Sequence, residues 1–235
     1  SAGKKMEDTQ QDQQQPPPGA TSSFQSGLRS METTHQPTNM LRCKIAVVGD
    51  ACVGKTALVQ NFHTNNYPKN YVMTSWVDFC VKQVKIPDTN VAVELYLFDT
   101  AGQSVFNQSE ADTAYFENVN FVMAVYDVSN KESFESVPTW LSKARTRRSP
   151  SAPPLEGVLV ANKVDLRGDD PTDWSARAVV AREAGMELAK REGLEYFETS
   201  AALQTGNLDP FHFMADQFHR KYGDTLDQAR MMGGN

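Results

Sequence analysis

The stretch that decides the fold is GDACVGKT, residues 49–56. It fits the pattern G-x-x-x-x-G-K-[ST] of a phosphate-binding loop, whose backbone N–H groups face phosphate oxygens. In that pattern the lysine reaches the β- and γ-phosphates, and the final hydroxyl binds Mg²⁺. The loop residues are Gly49, Asp50, Ala51, Cys52, Val53, Gly54, Lys55 and Thr56. An apolar run before the loop and a helix-like run after it favour phosphate binding over a chance match in a turn.

Outward from this loop, apolar runs alternate with amphipathic ones. The runs that predict strands are 44–48, 76–86, 91–98, 120–128, 157–162 and 194–200. The runs that predict helices are 56–62, 131–145, 173–193 and 209–222. Strands that alternate with helices are typical of an α/β domain. The sequence therefore predicts a mostly parallel six-stranded sheet flanked by helices, with ligands at the carboxyl ends of the strands.

Composition divides the chain into three parts. Residues 1–40 are rich in Gln, Pro and Ser, so they are predicted to be a disordered arm or a leader segment. Residues 41–223 form the predicted domain, and 224–235 are a candidate partner-binding tail. The length of 235 residues fits one domain of ordinary size with additional unstructured chain.

Charge and cysteine content exclude several classes of function. The net charge of −6 supplies no basic surface for nucleic acid. No apolar run approaches the length of a membrane span. The three cysteines, Cys43, Cys52 and Cys80, lack the spacing of metal ligands, so they are predicted to be reduced thiols.

Two further motifs follow predicted strands. FDTAGQ, residues 98–103, places Asp99 at a strand end, where its carboxylate is suited to the Mg²⁺ shell. The Gly102 N–H is predicted to sense a γ-phosphate, and Gln103 to orient the attacking water. DTAG alone would be an ordinary turn, but together with an upstream phosphate loop it indicates nucleotide hydrolysis.

NKVD, residues 162–165, identifies the base. A carboxylate only accepts hydrogen bonds, so Asp165 suits the two N–H groups of guanine and would be left unpaired by adenine. The Asn162 side chain is predicted to hydrogen-bond with guanine N7 and to contact the phosphate loop. The aliphatic part of the Lys163 side chain is predicted to lie over the guanine ring. ETSA, residues 198–201, completes the pocket with Ser200 and with the Ala201 N–H, which is directed at guanine O6. Helix capping by these polar residues is the alternative for either motif in isolation.

Residues 41–222 resemble the Ras-like small GTPases, most of all the Rab branch. YPKNYVMT, residues 67–74, resembles the first switch of that branch. The resemblance implies a Ras-like P-loop GTPase domain that binds GTP or GDP and Mg²⁺. It also implies that Tyr67 stacks on guanine and that Thr74 ligates Mg²⁺, together with Thr56 and Asp99.

Three strings resemble a narrower group, the Rab-like GTPases of ciliary intraflagellar transport: PDTNVAVELYLFDTAG, TWLSKAR and PFHFMADQFHRKY. This resemblance implies a subunit of the transport complex in the cytoplasm and the cilium or flagellum. It also implies intraflagellar transport protein 25 as an obligate partner, alongside exchange or activating proteins. Two alternatives stay open: a conventional Rab switch of vesicle traffic, and a structural subunit whose nucleotide only stabilises the fold.

The chain departs from the Rab pattern at several places. Ala51 stands where Ras proteins carry Gly, and its methyl group predicts slow hydrolysis by crowding the catalytic Gln103. QSVF, residues 103–106, replaces the usual Q-E-R-F, which puts ordinary Rab activators and effectors in doubt. The last cysteine is Cys80, so no prenyl anchor is predicted.

The last predicted helix raises the question of a partner surface. Residues 211, 214, 215, 218 and 222 form one apolar stripe that is predicted to pack on the sheet. At roughly 100° per residue, Phe213 is predicted to point away from that stripe. Gly223 is predicted to end the helix, and Leu226, Ala229 and Met232 form a second short ridge. Phe213 and the tail are therefore predicted to hold the partner, whichever nucleotide is bound.

Overall fold

A six-stranded sheet organises the domain. The computed structural model describes residues 39–66, 74, 77–102, 116–146, 153–168 and 178–233, and for 224–233 it describes the backbone only. The strands are β1 (Asn39–Val48), β2 (Val77–Lys85), β3 (Val91–Thr100), β4 (Phe121–Asp127), β5 (Glu156–Asn162) and β6 (Glu195–Thr199). Their order in the sheet is β2-β3-β1-β4-β5-β6, and only the β2–β3 pair is antiparallel. The predicted fold class and all six predicted strands are confirmed, and β1 begins two residues before the predicted domain boundary at 41.

Helices cover both faces of this sheet. They are α1 (Lys55–Thr64), α2 (Lys131–Glu135), α3 (Val137–Thr146), α4 (Arg182–Glu192) and α5 (Asp209–Gly233). A short 3-10 helix, Val164–Leu166, follows β5. Parallel strands joined by helices bury both of their faces, which explains why β4 is buried at every residue and β5 at every residue after Glu156.

The core therefore lies in two layers that share the sheet. Ile45 and Val47 face one layer, with Phe62 of α1 and Phe211 of α5. Ala46 and Val48 face the other, which includes Trp140 of α3 and Leu188 of α4. Alternate residues of β1 thus fix the phosphate loop, which follows Val48 directly, between two packed layers.

Two predicted helices differ from the observed ones. The prediction of one helix over 131–145 is wrong, because the chain divides at Ser136 into α2 and α3. Pro138 has no N–H to donate to the Phe134 carbonyl, so an uninterrupted helix would lose that bond. The predicted helix over 173–193 begins only at Arg182, since Val179 and Val180 both donate their N–H groups to the Val128 carbonyl. Residues 173–177 lie outside the described residues.

The end of α5 also differs from prediction. Gly223 does not end this helix, which continues to Gly233. Gly223 is not among the glycines with positive φ, the conformation that a glycine adopts when it ends a helix. Glycine inside a helix costs about 1 kcal/mol relative to alanine, a cost that α5 bears at Gly223.

The prediction that Phe213 points away from the core is also wrong. Phe213 is half-buried, and its ring centroid lies 5.5 Å from that of Phe197 in β6. Tyr222, predicted to be core, is 41% exposed. Lys221 forms an ion pair with Glu156, the first residue of β5, so this part of α5 lies beside the amino end of that strand. The edge strand β6 thus covers Phe213, whereas Tyr222 is exposed to solvent.

Candidate functional site

The loop between β1 and α1 has a backbone that glycine alone fits at two points. Gly49 has φ 139°, and a Cβ atom added there would lie 2.1 Å from the Val125 carbonyl oxygen of β4. Gly54 has φ 98°, and its added Cβ would lie 2.3 Å from Asn162 Nδ2. The loop is therefore pressed against β4 on one side and against Asn162, the last residue of β5, on the other.

Lys55 fills the interior of this loop. Its Nζ donates to the carbonyl oxygens of Gly49 at 2.9 Å and of Asp50 at 2.8 Å. The side chain is buried, and burial lowers the pKa of Lys55 to about 8. The ammonium is thus held at the centre of the turn with carbonyl dipoles as its partners, a position from which it can meet a phosphate oxygen.

Three predicted metal ligands meet at the N-terminus of α1. Thr56 Oγ1 donates to Asp99 Oδ2 at 2.5 Å and lies 2.8 Å from Thr74 Oγ1. The other carboxylate oxygen, Asp99 Oδ1, is buried and has no hydrogen-bond partner within the described part of the chain. Burial raises the pKa of Asp99, although the Thr56 hydroxyl opposes that shift. A hard cation prefers oxygen ligands, and these three side chains, with one carboxylate oxygen free to accept a ligand, fit Mg²⁺.

A denser metal site is absent from the described ranges. Among residues 39–66, 74, 77–102, 116–146, 153–168 and 178–233, no three His, Cys, Asp or Glu side chains cluster as metal ligands. The oxygen set of Thr56, Thr74 and Asp99 has a single carboxylate. A site of this kind leaves the remaining ligands to phosphate oxygens and water.

Gly102, which follows β3, packs directly on the phosphate loop. A Cβ added to Gly102 would lie 2.3 Å from the Ala51 nitrogen and 2.4 Å from the Asp50 carbonyl carbon. The chain that leads to position 103 therefore touches the backbone of Ala51. Gln103 and Tyr67 themselves lie outside the described residues.

Asn162 connects the phosphate loop to the predicted base pocket. Its Nδ2 donates to the Val53 carbonyl at 2.8 Å, as predicted for a tie to the loop. Its Oδ1 accepts from Thr199 Oγ1 at 3.1 Å and from the Ala201 N–H at 3.2 Å. The Ala201 N–H, predicted to face guanine O6, thus has an acceptor inside the protein. The side chain is 1% exposed, so one buried amide holds three segments together.

The remaining base-pocket residues are also brought together. Ser200 Oγ donates to Asp165 Oδ1, which fixes the carboxylate. Backbone bonds between Ser200 and Thr205 close the following loop into a short β-bridge. Lys163 has φ 65°, and its Nζ pairs with Asp127 Oδ2 at 2.6 Å. The structure thus places Asn162, Lys163, Asp165, Ser200 and Ala201 at one edge of the sheet.

Several contacts that support this site were not predicted. Asp127, which holds Lys163, ends β4, and the rule that ligands lie at carboxyl ends of parallel strands could have singled it out. Asn61 of α1 donates to the Ala201 carbonyl at 2.8 Å, a contact across 140 positions that has no sequence signal. Asp50 of the loop is bound by Ser136 and Trp140, which lie 86 and 90 positions away.

Comparison with known proteins defines the class. Residues 44–220 match the Ras family, and the chain belongs to that family. Ras-family GTPases bind GTP or GDP with Mg²⁺ and hydrolyse GTP. The fold and the glycine loop described above are therefore those of a small GTPase.

Its relatives narrow the class further. The chain is 43% identical over 189 residues to the intraflagellar transport protein 27 homolog of Mus musculus, which covers 80% of this chain and 95% of the relative. It is 40% identical over 192 residues to intraflagellar transport protein 27 of Chlamydomonas reinhardtii, covering 80% and 90%. It is 29% identical over 180 residues to the Ras-related protein Rab-13 of Canis lupus familiaris, covering 77% and 81%.

Within the part of the chain that the structure describes, no helix combines the length and the apolar character needed to span a bilayer.

Proposed function

We propose that this chain is a guanine-nucleotide switch that binds GTP or GDP with Mg²⁺ at the site described above. The observation that carries the proposal is the convergence of Thr56, Thr74 and Asp99, from three separate segments, beside a glycine loop that encloses a lysine. Gly49 to Thr56 would hold the phosphates, with Lys55 at the β- and γ-phosphates. Bound Mg²⁺ would neutralise charge on the phosphate oxygens.

The base pocket supports guanine as the ligand. Asp165 Oδ1 is fixed by Ser200, which leaves Oδ2 as an acceptor for the guanine N–H groups. Asn162 Nδ2 donates to the Val53 carbonyl, and Asn162 Oδ1 accepts from the Ala201 N–H. A pocket whose acceptor is fixed in advance selects a base with donors at both N1 and C2, whereas adenine has an acceptor at N1 and no polar group at C2.

Hydrolysis is proposed to be slow without an activator. Gly102 lies against the Ala51 backbone, so the Ala51 side chain stands close to the segment that carries Gln103. A methyl group there would crowd the position of a water-orienting glutamine. Intrinsic hydrolysis would then be at or below the roughly 10⁻⁴ per second of unassisted Ras-type turnover.

A change of base specificity tests the proposed site. Asp165→Asn should weaken GDP binding by roughly tenfold or more, because an amide N–H would face the donors of guanine. The same variant should gain affinity for xanthine nucleotides, which present an acceptor at that edge. Asp88→Asn, the same change in an exposed turn, is the matched control and should bind GDP as the unchanged protein does. Equal affinity of the unchanged protein for ADP and GDP would disprove the guanine assignment.

We further propose that the protein works in intraflagellar transport, in the cytoplasm and the cilium or flagellum, with intraflagellar transport protein 25 as its partner. The support is its similarity to relatives named intraflagellar transport protein 27. Arg220, Lys221 and Tyr222 are exposed, and the α5 backbone continues beyond them to Gly233. The proposed interface is therefore the C-terminal part of α5, residues 224–233, rather than Phe213.

Co-purification tests this partner. The full chain should form a heterodimer with intraflagellar transport protein 25 in both its GDP and GTP states. Removal of residues 224–235 should abolish the heterodimer and leave GDP affinity unchanged, whereas removal of residues 1–38 should affect neither. A heterodimer that survives the C-terminal truncation would place the interface elsewhere on the domain.

A further inference from the structure

One residue of the phosphate loop is held from outside the loop. The half-buried Asp50 accepts a hydrogen bond at each carboxylate oxygen. Trp140 Nε1 donates to Oδ1 at 2.7 Å, and Ser136 Oγ donates to Oδ2 at 2.7 Å. Asp50, Ser136 and Trp140 are called the Asp50 clamp below.

Both donors are rigidly placed. Trp140 is fully buried in the core layer beneath α3, next to Leu141 and Ala144. Its indole N–H points at Asp50, and a buried donor of this kind is costly to leave unpaired. Ser136 lies at the junction of α2 and α3, where its N–H donates to the Glu132 carbonyl. Hydrogen bonds to a charged acceptor are the stronger kind, so the clamp ties the loop firmly to α3.

Asp50 also contacts the parts of the site that meet phosphate. Its carbonyl oxygen accepts from Lys55 Nζ at 2.8 Å, and its carbonyl carbon lies under Gly102. A shift of the Asp50 backbone would therefore move the lysine and the Gly102 contact together. The clamp has an electrostatic consequence too, because it turns a carboxylate of an anion-binding loop toward α3 and away from the phosphates.

We propose that Trp140 and Ser136 are positioning residues for nucleotide binding, which act through Asp50. They fix the phosphate loop in the shape that retains GDP and GTP, and they make α3 the element that sets the rate of nucleotide release. This inference rests on the proposed nucleotide site. It adds that Ser136 and Trp140, which belong to none of the nucleotide-binding motifs, influence the rate of nucleotide release.

The rate of release of a fluorescent GDP analogue, chased with excess GDP in Mg²⁺, measures the effect. Asp50→Ala, Trp140→Phe and Ser136→Ala should each release it faster, by about tenfold for the loss of a bond to a charged acceptor. Asp50→Asn should stay near the unchanged rate, because its amide oxygen can accept from Trp140 and its amide nitrogen can donate to Ser136 Oγ. Ser142→Ala, on the exposed side of α3, is the control and should change nothing.

The double variants separate positioning from packing. Because both residues act through one clamp, Asp50→Ala combined with Trp140→Phe should release the analogue little faster than Asp50→Ala alone. Asp50→Ala with Ser136→Ala gives the same test without altering the core, and it decides the matter if Trp140→Phe does not fold. If Asp50→Ala with Ser136→Ala raises the release rate by the product of the two single effects, the inference is overturned. An unchanged release rate in Asp50→Ala would overturn it as well. Failure of the unchanged protein to retain the analogue would instead overturn the proposed function itself.

Discussion

Replacement of Asn162 by alanine should destabilise the protein at the junction between the phosphate loop and the base pocket. The side chain is 1% exposed and makes three hydrogen bonds, to Val53, Thr199 and Ala201. Alanine removes all three and leaves a carbonyl, a hydroxyl and an N–H without their partner. Because the position is buried from solvent, each of these groups bears a desolvation cost.

The magnitude follows from that count. A lost hydrogen bond costs about 1 kcal/mol, and an unpaired buried group costs about 1–3 kcal/mol. For three partners the expected fall in the free energy of unfolding is about 3–9 kcal/mol, a large part of the 5–15 kcal/mol typical of a domain. Asn130→Ala is the matched control, since Asn130 is exposed and its side chain accepts one hydrogen bond among the described residues, from the Ser133 N–H of α2. Loss of a helix cap costs about 1 kcal/mol.

Urea denaturation of the nucleotide-free protein, followed by circular dichroism, measures both variants without the stabilisation that a ligand adds. Asn162→Ala should lose at least twice as much free energy of unfolding as Asn130→Ala. An equal loss in the two variants would refute the reasoning, because it would mean that the three contacts at Asn162 contribute no more than one exposed cap.

Other predictions concern the loop and its turnover. Gly49→Ala should cost roughly 3 kcal/mol or more, because its Cβ would meet the Val125 carbonyl, whereas Gly193→Ala, with φ 71° and open space around it, should cost about 1 kcal/mol; similar losses in the two would contradict the clash. Gln103→Leu should lower single-turnover GTP hydrolysis, and Ala51→Gly should raise it. An unchanged rate in Gln103→Leu would show that this glutamine takes no part in hydrolysis and would favour a structural role for the nucleotide.

Much of the fold could be predicted because local pattern and tertiary position agree. β1, β3, β4 and β5 are mainly apolar and largely buried, and the phosphate loop, DTAG and NKVD lie at the carboxyl ends of β1, β3 and β5. The errors arose where a distant segment overrides local preference. Val179 and Val180 suit the end of a helix pattern, but both are bonded to the Val128 carbonyl, about fifty positions away in the chain. Phe213 is turned from the apolar stripe, yet Phe197 of β6 covers it.

The candidate site likewise contains residues that the sequence predicts and contacts that it does not predict. Motif spacing predicted the phosphate loop, Asp99, Asn162 and Asp165, because each chemical role requires a particular residue type at a strand end. The supporting contacts could not be read from spacing, since each joins residues that only the completed sheet brings together. Asp50 with Trp140 is the clearest case, because a carboxylate in a loop and a tryptophan in a helix carry no mark of each other.

The central claim, that the site holds guanine nucleotide with Mg²⁺, is tested most directly by the nucleotide that the purified protein retains. The protein is denatured after gel filtration in Mg²⁺, and the released nucleotide is identified and quantified by ion-exchange chromatography. The account predicts GDP or GTP at close to one equivalent per chain, with most of it lost after gel filtration in a Mg²⁺ chelator. Retention of adenine nucleotide, or no retention after incubation with excess GDP and Mg²⁺, would contradict it.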